Sequence, residues 1–202
     1  MLSSLYSSFR AWTDEVLEED RYGILVYGLV LLHLWLAKVV LSLSWDPASG
    51  SLIDTALMPI HEGGHTLFAF FGTFLAVLGG SLLQWLVPLF LVVGFVRQRD
   101  LYAICAGIVV FGVSLNSTYV YMDSAFHLEK YPDMVFVTLG DAQQEATHDW
   151  QYLFGSLGMY HSSDAVVALM RVLSLGMLWC GWLAGAWVLG QCIVRRWMPA
   201  QA

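Results

Sequence analysis

Five long runs of apolar residues, separated by shorter polar stretches, limit what this chain of 202 residues can fold into. Each run is close to the roughly 20 residues that a helix needs to cross a bilayer. Only 12% of the residues are charged, against about 25% in an ordinary soluble domain. The pattern predicts an all-α integral membrane protein with about five transmembrane helices, at residues 22–44, 52–78, 81–96, 101–122 and 165–194.

The polar stretches divide this single membrane domain, residues 1–202, into four parts. Apolar side chains at helical spacing predict an amphipathic helix over residues 1–21, lying at the membrane interface. Four spans follow within 22–122, and the pair Gly79-Gly80 predicts a tight turn between the second and third. A polar loop at 123–163 precedes the last span, at 164–196.

The distribution of charge restricts partners and orientation. A net charge of −7 argues against nucleic acid as a partner and leaves membrane lipid as the expected surroundings. Basic residues concentrate on the cytoplasmic side of membrane proteins, and here they end the third and fifth spans: Arg97, Arg99, Arg195 and Arg196. The C-terminus is therefore predicted to be cytoplasmic, with the acidic N-terminus and the 123–163 loop facing outward.

The second predicted span contains an H-E-x-x-H motif, His61-Glu62-Gly63-Gly64-His65. On a helix, residues four apart lie on one face, so His61 and His65 can bind the same Zn²⁺. Ionisable side chains inside a bilayer are costly unless they are paired or bound. We therefore expect His61 and His65 to be metal ligands, with Glu62 as the base that takes a proton from a metal-bound water.

A catalytic zinc needs at least one further protein ligand. His148 is the first candidate, because the apolar residues after it predict that 145–157 folds back onto the bundle. Asp123, at the end of the fourth span, is the second candidate. Asp149 is either a ligand itself or a partner that orients a ligand histidine. The other candidates are less favoured: His33, His127 and His161.

The motif resembles the site-2 protease family of intramembrane zinc metalloproteases, and more closely the small bacterial membrane proteins often described as similar to them. The similarity covers about residues 55–160, through four segments: residues 61–68, residues 79–84 with Pro88, residues 121–123 and residues 148–150. It implies a bacterial inner membrane, a transmembrane peptide as substrate, His61 and His65 as zinc ligands, and Glu62 as the base. The later Asp-Gly motif of site-2 proteases has no counterpart in this chain.

These residues support one principal hypothesis and two alternatives. The principal hypothesis is an intramembrane zinc-dependent metalloprotease that hydrolyses peptide bonds with a zinc-activated water. The first alternative is a non-catalytic membrane protein whose metal is structural, sensed or transported, and a site closed by four protein ligands would indicate it. The second is a membrane di-iron oxidoreductase, which needs more carboxylate ligands, for which Asp123, Glu129 and Asp149 are available.

Overall fold

The computed structural model describes residues 25–131 and 148–197, together with the single positions Ser7 and Ala11. All regular secondary structure in this part of the chain is helical, and turns, bends and irregular segments connect the helices. The helices are α1 (Val26–Trp45), α2 (Leu52–Phe68), α3 (Thr73–Arg97), α4 (Leu101–Ser124), α5 (Asp149–Ser156) and α6 (Ser163–Trp197). The amphipathic helix predicted over 1–21 lies outside the described residues, except at those two single positions.

Four of these helices, α1, α3, α4 and α6, are long and apolar enough to cross a membrane. Their composition is that of an integral membrane protein and confirms the helical class. Helix α2, which carries the H-E-x-x-H motif, has only 17 residues and extends about 25 Å, less than the roughly 30 Å of a hydrocarbon core. The structure therefore provides four candidate spans in its described part, not the predicted five.

The break between the second and third predicted spans lies elsewhere than expected. Helix α2 ends at Phe68, a short 3-10 turn covers Ala69–Phe71, and α3 begins at Thr73. Gly72 makes the reversal with φ 94° and ψ 168°, a conformation that is essentially restricted to glycine. The predicted turn at Gly79-Gly80 is wrong, because both residues lie inside α3.

Gly79 serves helix packing instead of chain reversal, together with Gly64 of α2. A Cβ added to Gly64 would overlap the carbonyl oxygen of Gly79, and one added to Gly79 would lie 2.6 Å from the carbonyl oxygen of Gly64. The backbones of α2 and α3 are thus in direct contact, as small residues permit between helices in membranes. This contact brings the motif in α2 against the middle of α3.

The ends of the long helices show how the bundle is arranged. Val26 at the start of α1, Leu101 at the start of α4 and Val188 near the end of α6 share one buried cluster. The start of α1 therefore lies at the same end of the bundle as the turn that contains Arg97 and Arg99. Five crossings would place the first and last helix ends on opposite sides, whereas four crossings place them together.

Arg171 of α6 ties three helices together near the other end. Its guanidinium donates to Asn116 Oδ1 at 2.6 Å and to the carbonyl oxygens of Leu43 and Ser44 at 2.9 and 3.0 Å. Asn116 in turn donates to the carbonyl oxygen of Pro47 at 2.9 Å. The two bonds from Arg171 to Leu43 and Ser44 satisfy carbonyl groups at the C-terminal end of α1 that have no partner within the helix.

Part of the predicted polar loop folds back onto the bundle, as expected. Residues 132–147 lie outside the described residues, but α5 packs on α4 and α6 through a buried cluster that includes Trp150, Leu153, Phe154, Met122 and Val167. The fold-back prediction for 145–157 is confirmed over its described part, 148–157. Helix α5 thereby brings its first residue, Asp149, towards the H-E-x-x-H motif.

Candidate metal centre

The H-E-x-x-H motif presents its two imidazoles one helical turn apart on α2. The ring centroids of His61 and His65 are 4.8 Å apart and the planes are nearly perpendicular, at 76°. One potential ligand atom from each of His61, Glu62 and His65 lies within 4.8 Å of the others. His61 is buried, while Glu62 and His65 are partly exposed.

Each imidazole is held at its Nδ1 atom by an acceptor on α3. His61 Nδ1 lies 2.9 Å from Gln84 Oε1, and His65 Nδ1 lies 2.9 Å from the carbonyl oxygen of Ala76. A neutral imidazole that donates through Nδ1 has its lone pair on Nε2. This is how ligand histidines are commonly oriented, with the second nitrogen bonded to a carbonyl or carboxylate. Both Nε2 atoms are therefore available for a metal ion.

Asp149 supplies a carboxylate to the same space. Its Oδ2 atom lies 3.3 Å from His65 Nε2 and 3.6 Å from His61 Nε2. The hydroxyl of Tyr121 donates to this oxygen at 3.1 Å. Burial raises the pKa of the Asp149 carboxyl, but the contacts with His61 and His65 outweigh burial, and the pKa is lowered below its usual range. The group is thus an anion facing two imidazoles.

Each of the two histidines has an acceptor near both of its ring nitrogens. His65 has an acceptor at Nδ1 and a second acceptor, the Asp149 carboxylate, at Nε2. His61 is placed in the same way between Gln84 and Asp149. A neutral imidazole carries one N–H and cannot donate in both directions. A cation between the Nε2 atoms and the carboxylate would satisfy all three groups at once.

His148, the first candidate for the third ligand, has both ring nitrogens occupied elsewhere. Its Nδ1 accepts from the backbone N–H of Trp150 at 3.2 Å and so caps the N-terminus of α5. Its Nε2 lies 3.3 Å from Ser124 Oγ, whose own proton is donated to the carbonyl oxygen of Tyr121. Burial lowers the pKa of the His148 imidazole to about 4, so it is neutral at pH 7. It carries its single proton on Nε2, and neither nitrogen offers a lone pair to the centre.

Asp123, the second candidate, is engaged in a cluster of its own. Its carboxylate accepts from His127 Nδ1 at 2.8 Å, from the hydroxyl of Tyr131 at 2.7 Å and from Lys130 Nζ at 3.3 Å. The carboxylate is nearly fully buried, so these donors compensate for its lost hydration. Asp123 and His127 thus form a separate polar cluster that anchors the end of α4.

The remaining candidates also lie apart from the motif. His33 of α1 stacks on Trp182, with centroids 5.3 Å apart and planes within 7°. Glu129 and His161 are exposed in 3-10 turns. Of the residues proposed from the sequence, the structure brings together His61, Glu62, His65 and Asp149.

The contacts of three further contributors to the centre are not predicted from the sequence. Any residue at position 76 offers the same carbonyl oxygen, so the sequence does not indicate the acceptor for His65. Gln84 and Tyr121 lie in two of the segments that carry the family resemblance. Their contacts with His61 and Asp149 depend on how α3 and α5 pack.

Comparisons of this chain with known protein families, with curated proteins and with solved structures gave no match. The resemblance in the motif therefore remains a local one. The side chains gathered here, two imidazoles and two carboxylates, are a donor set that could hold a metal ion.

Proposed function

We propose that this protein is a zinc-dependent membrane hydrolase, with His61, His65 and Asp149 as ligands and Glu62 as the general base. One observation carries the proposal: Asp149 Oδ2 lies 3.3 and 3.6 Å from the two Nε2 atoms, while both Nδ1 atoms are bonded away from the centre. Zinc bonds of about 2.0–2.1 Å in tetrahedral geometry require ligand atoms roughly 3.3–3.4 Å apart. The contact of Asp149 with His65 has this spacing, and its contact with His61 is about 0.2–0.3 Å longer.

Three protein ligands are what a catalytic zinc site uses. Such sites keep the fourth position for water, whereas structural sites are closed by a fourth protein ligand. His148 and Asp123, the two further ligands favoured from the sequence, are bonded elsewhere, and Glu62 is assigned here as the base. This favours a catalytic centre over a purely structural one. A di-iron site is disfavoured as well, because the extra carboxylates that it would need, Asp123 and Glu129, lie apart from His61 and His65.

The chemistry follows from the positions of the two carboxylates. Bound zinc supplies Lewis-acid activation of a water molecule. Asp149 faces the histidines, while Glu62 lies beside them in the motif and is partly exposed. The Glu62 carboxylate would accept the proton of the attacking water and pass it to the leaving amine. The similarity to site-2 proteases and the exposed apolar side chains around the motif, such as Met58, Leu67, Phe70 and Phe71, support a peptide within the membrane as substrate.

Metal content tests the ligand set. The protein purified in detergent should hold about one zinc per chain, and His61→Ala, His65→Ala and Asp149→Ala should each lose it. His161→Ala is the matched control, because this exposed histidine lies in a separate turn, and it should retain the metal. Full zinc content in all three ligand variants would end the proposal.

A second measurement separates a catalytic site from a closed one without a known substrate. Cobalt replaces zinc as a visible probe, and acetohydroxamate is a bidentate ligand that needs an open position. The visible spectrum of the cobalt protein should change when acetohydroxamate is added. A loaded protein whose spectrum does not change has a closed site, and the non-catalytic alternative would then replace the hydrolase.

A further inference from the structure

Next to the Nε2 atoms of His61 and His65, the nearest part of α3 is the backbone of a glycine. This glycine is Gly80, and a Cβ built on it would be 2.5 Å from His65 Nε2 and 2.6 Å from His61 Nε2. Nonbonded carbon and nitrogen atoms do not approach so closely, so any side chain at position 80 would displace both imidazoles. Gly63, inside the motif itself, is different, because a Cβ there would meet nothing within 4 Å.

We propose that Gly80 is the positioning residue that allows the two histidines to share one ion. Resting on the metal site proposed above, this inference assigns to a glycine on a different helix the role of shaping that site. The imidazoles lie over the Cα of Gly80, and their Nδ1 atoms reach past it to Gln84 and Ala76 on the same helix. Ala76 and Gln84, which hold the two Nδ1 atoms, lie four positions before and four positions after residue 80.

The roles of the neighbouring glycines can be separated. Gly64 and Gly79 bring the two backbones together, and the atoms that a Cβ would meet there include backbone atoms. At Gly80 the nearest atoms that a Cβ would meet all belong to the imidazoles of His61 and His65. Gly64 is therefore a packing residue, whereas the requirement for glycine at position 80 depends on the histidines.

Zinc affinity is the first readout, measured by competition with a chromophoric chelator. Gly80→Ala should weaken zinc binding by at least the roughly 10- to 100-fold typical of residues that orient ligands, although all the ligand side chains remain. Gly63→Ala is the matched control and should bind zinc like the native protein. Native affinity in Gly80→Ala would overturn the inference and leave the proposed function intact.

A stability cycle on metal-free protein keeps the test decisive if Gly80→Ala folds poorly. In the native background Gly80→Ala should lower the melting temperature by roughly 4 °C or more. In a His61→Ala, His65→Ala background the imidazoles are gone, and most of this loss should disappear. Gly64→Ala should lower the melting temperature equally in both backgrounds. If Gly80→Ala lowers the melting temperature equally in both backgrounds, position 80 acts only through helix packing, and the inference is overturned.

Discussion

Glu62 and the two histidines beside it contribute different things to the centre. The histidines have their Nδ1 atoms fixed by α3 and their Nε2 atoms directed at the Asp149 carboxylate. Glu62 lies in the same motif but is partly exposed, as the role of general base proposed for it would require. Affinity for the metal and turnover should therefore respond to different substitutions.

Glu62→Gln should retain zinc and lose turnover. The amide keeps the shape of the side chain but cannot take a proton, and a general base contributes about 10²- to 10⁴-fold to a rate. The measurements are zinc content and cleavage of a transmembrane peptide that the native protein hydrolyses. If Glu62→Gln loses zinc as completely as His61→Ala, then Glu62 is a ligand and the assignment of roles is wrong.

His148 should prove to be a helix cap and not a ligand. His148→Asn keeps an N-cap acceptor for α5, so it should retain zinc and stability. His148→Ala removes the cap and should lower the free energy of unfolding by about 1 kcal/mol without loss of zinc. Thermal unfolding and metal analysis of the two variants check this. Loss of zinc from both would restore His148 as the third ligand.

Among the elements, the hairpin of α2 and α3 is where sequence and structure part most clearly. Both Gly72 and the Gly79-Gly80 pair are turn signals in an apolar stretch, and the pair is locally the stronger. The structure uses the single glycine for the reversal, because only then does α3 pass the motif and place Gly79 against Gly64. That choice is decided by packing between helices, which no local pattern encodes.

Gly72→Ala should destabilise the hairpin. A Cβ is strained at φ 94° and ψ 168°, and the free energy of unfolding should fall by about 1–3 kcal/mol. Gly94→Ala, inside α3 with open space around it, is the control and should be neutral or slightly stabilising. Comparable losses in the two variants would show that the strain at position 72 is not the cause.

The other elements were predictable to differing degrees for physical reasons. The predicted spans 22–44, 101–122 and 165–194 match α1, α4 and α6 closely, because uninterrupted apolar length is itself the constraint in a bilayer. The ligand pair in α2 follows from helical periodicity. Asp149 was only a lesser candidate from the sequence, since its position depends on the docking of α5 through Trp150, Leu153 and Phe154.

At the scale of the whole molecule, the four candidate spans place their polar ends in two groups. Arg97, Arg99 and Arg195 lie at one end of the bundle, together with the start of α1. Glu129 follows the far end of α4, at the other end of the bundle. The arginine-containing end should face the cytoplasm.

Single cysteines introduced after removal of Cys105, Cys180 and Cys192 should report this arrangement. In intact cells a membrane-impermeant maleimide should label Glu129→Cys, and should label Gln98→Cys only after permeabilisation. Both positions are exposed in turns, so labelling depends on the side of the membrane. The reverse pattern would invert the orientation, and labelling of both from outside would contradict a crossing by α4.

The origin of the centre from distant parts of the chain has a consequence for how the protein is made. His65 and Asp149 are 84 residues apart, which ribosomes synthesise in roughly 4 to 17 seconds at 5–20 residues per second. During that interval the two histidines have been made but their carboxylate partner has not. A zinc ion bound as proposed, by His61, His65 and Asp149, could be held by all three ligands only after α5 had emerged and docked.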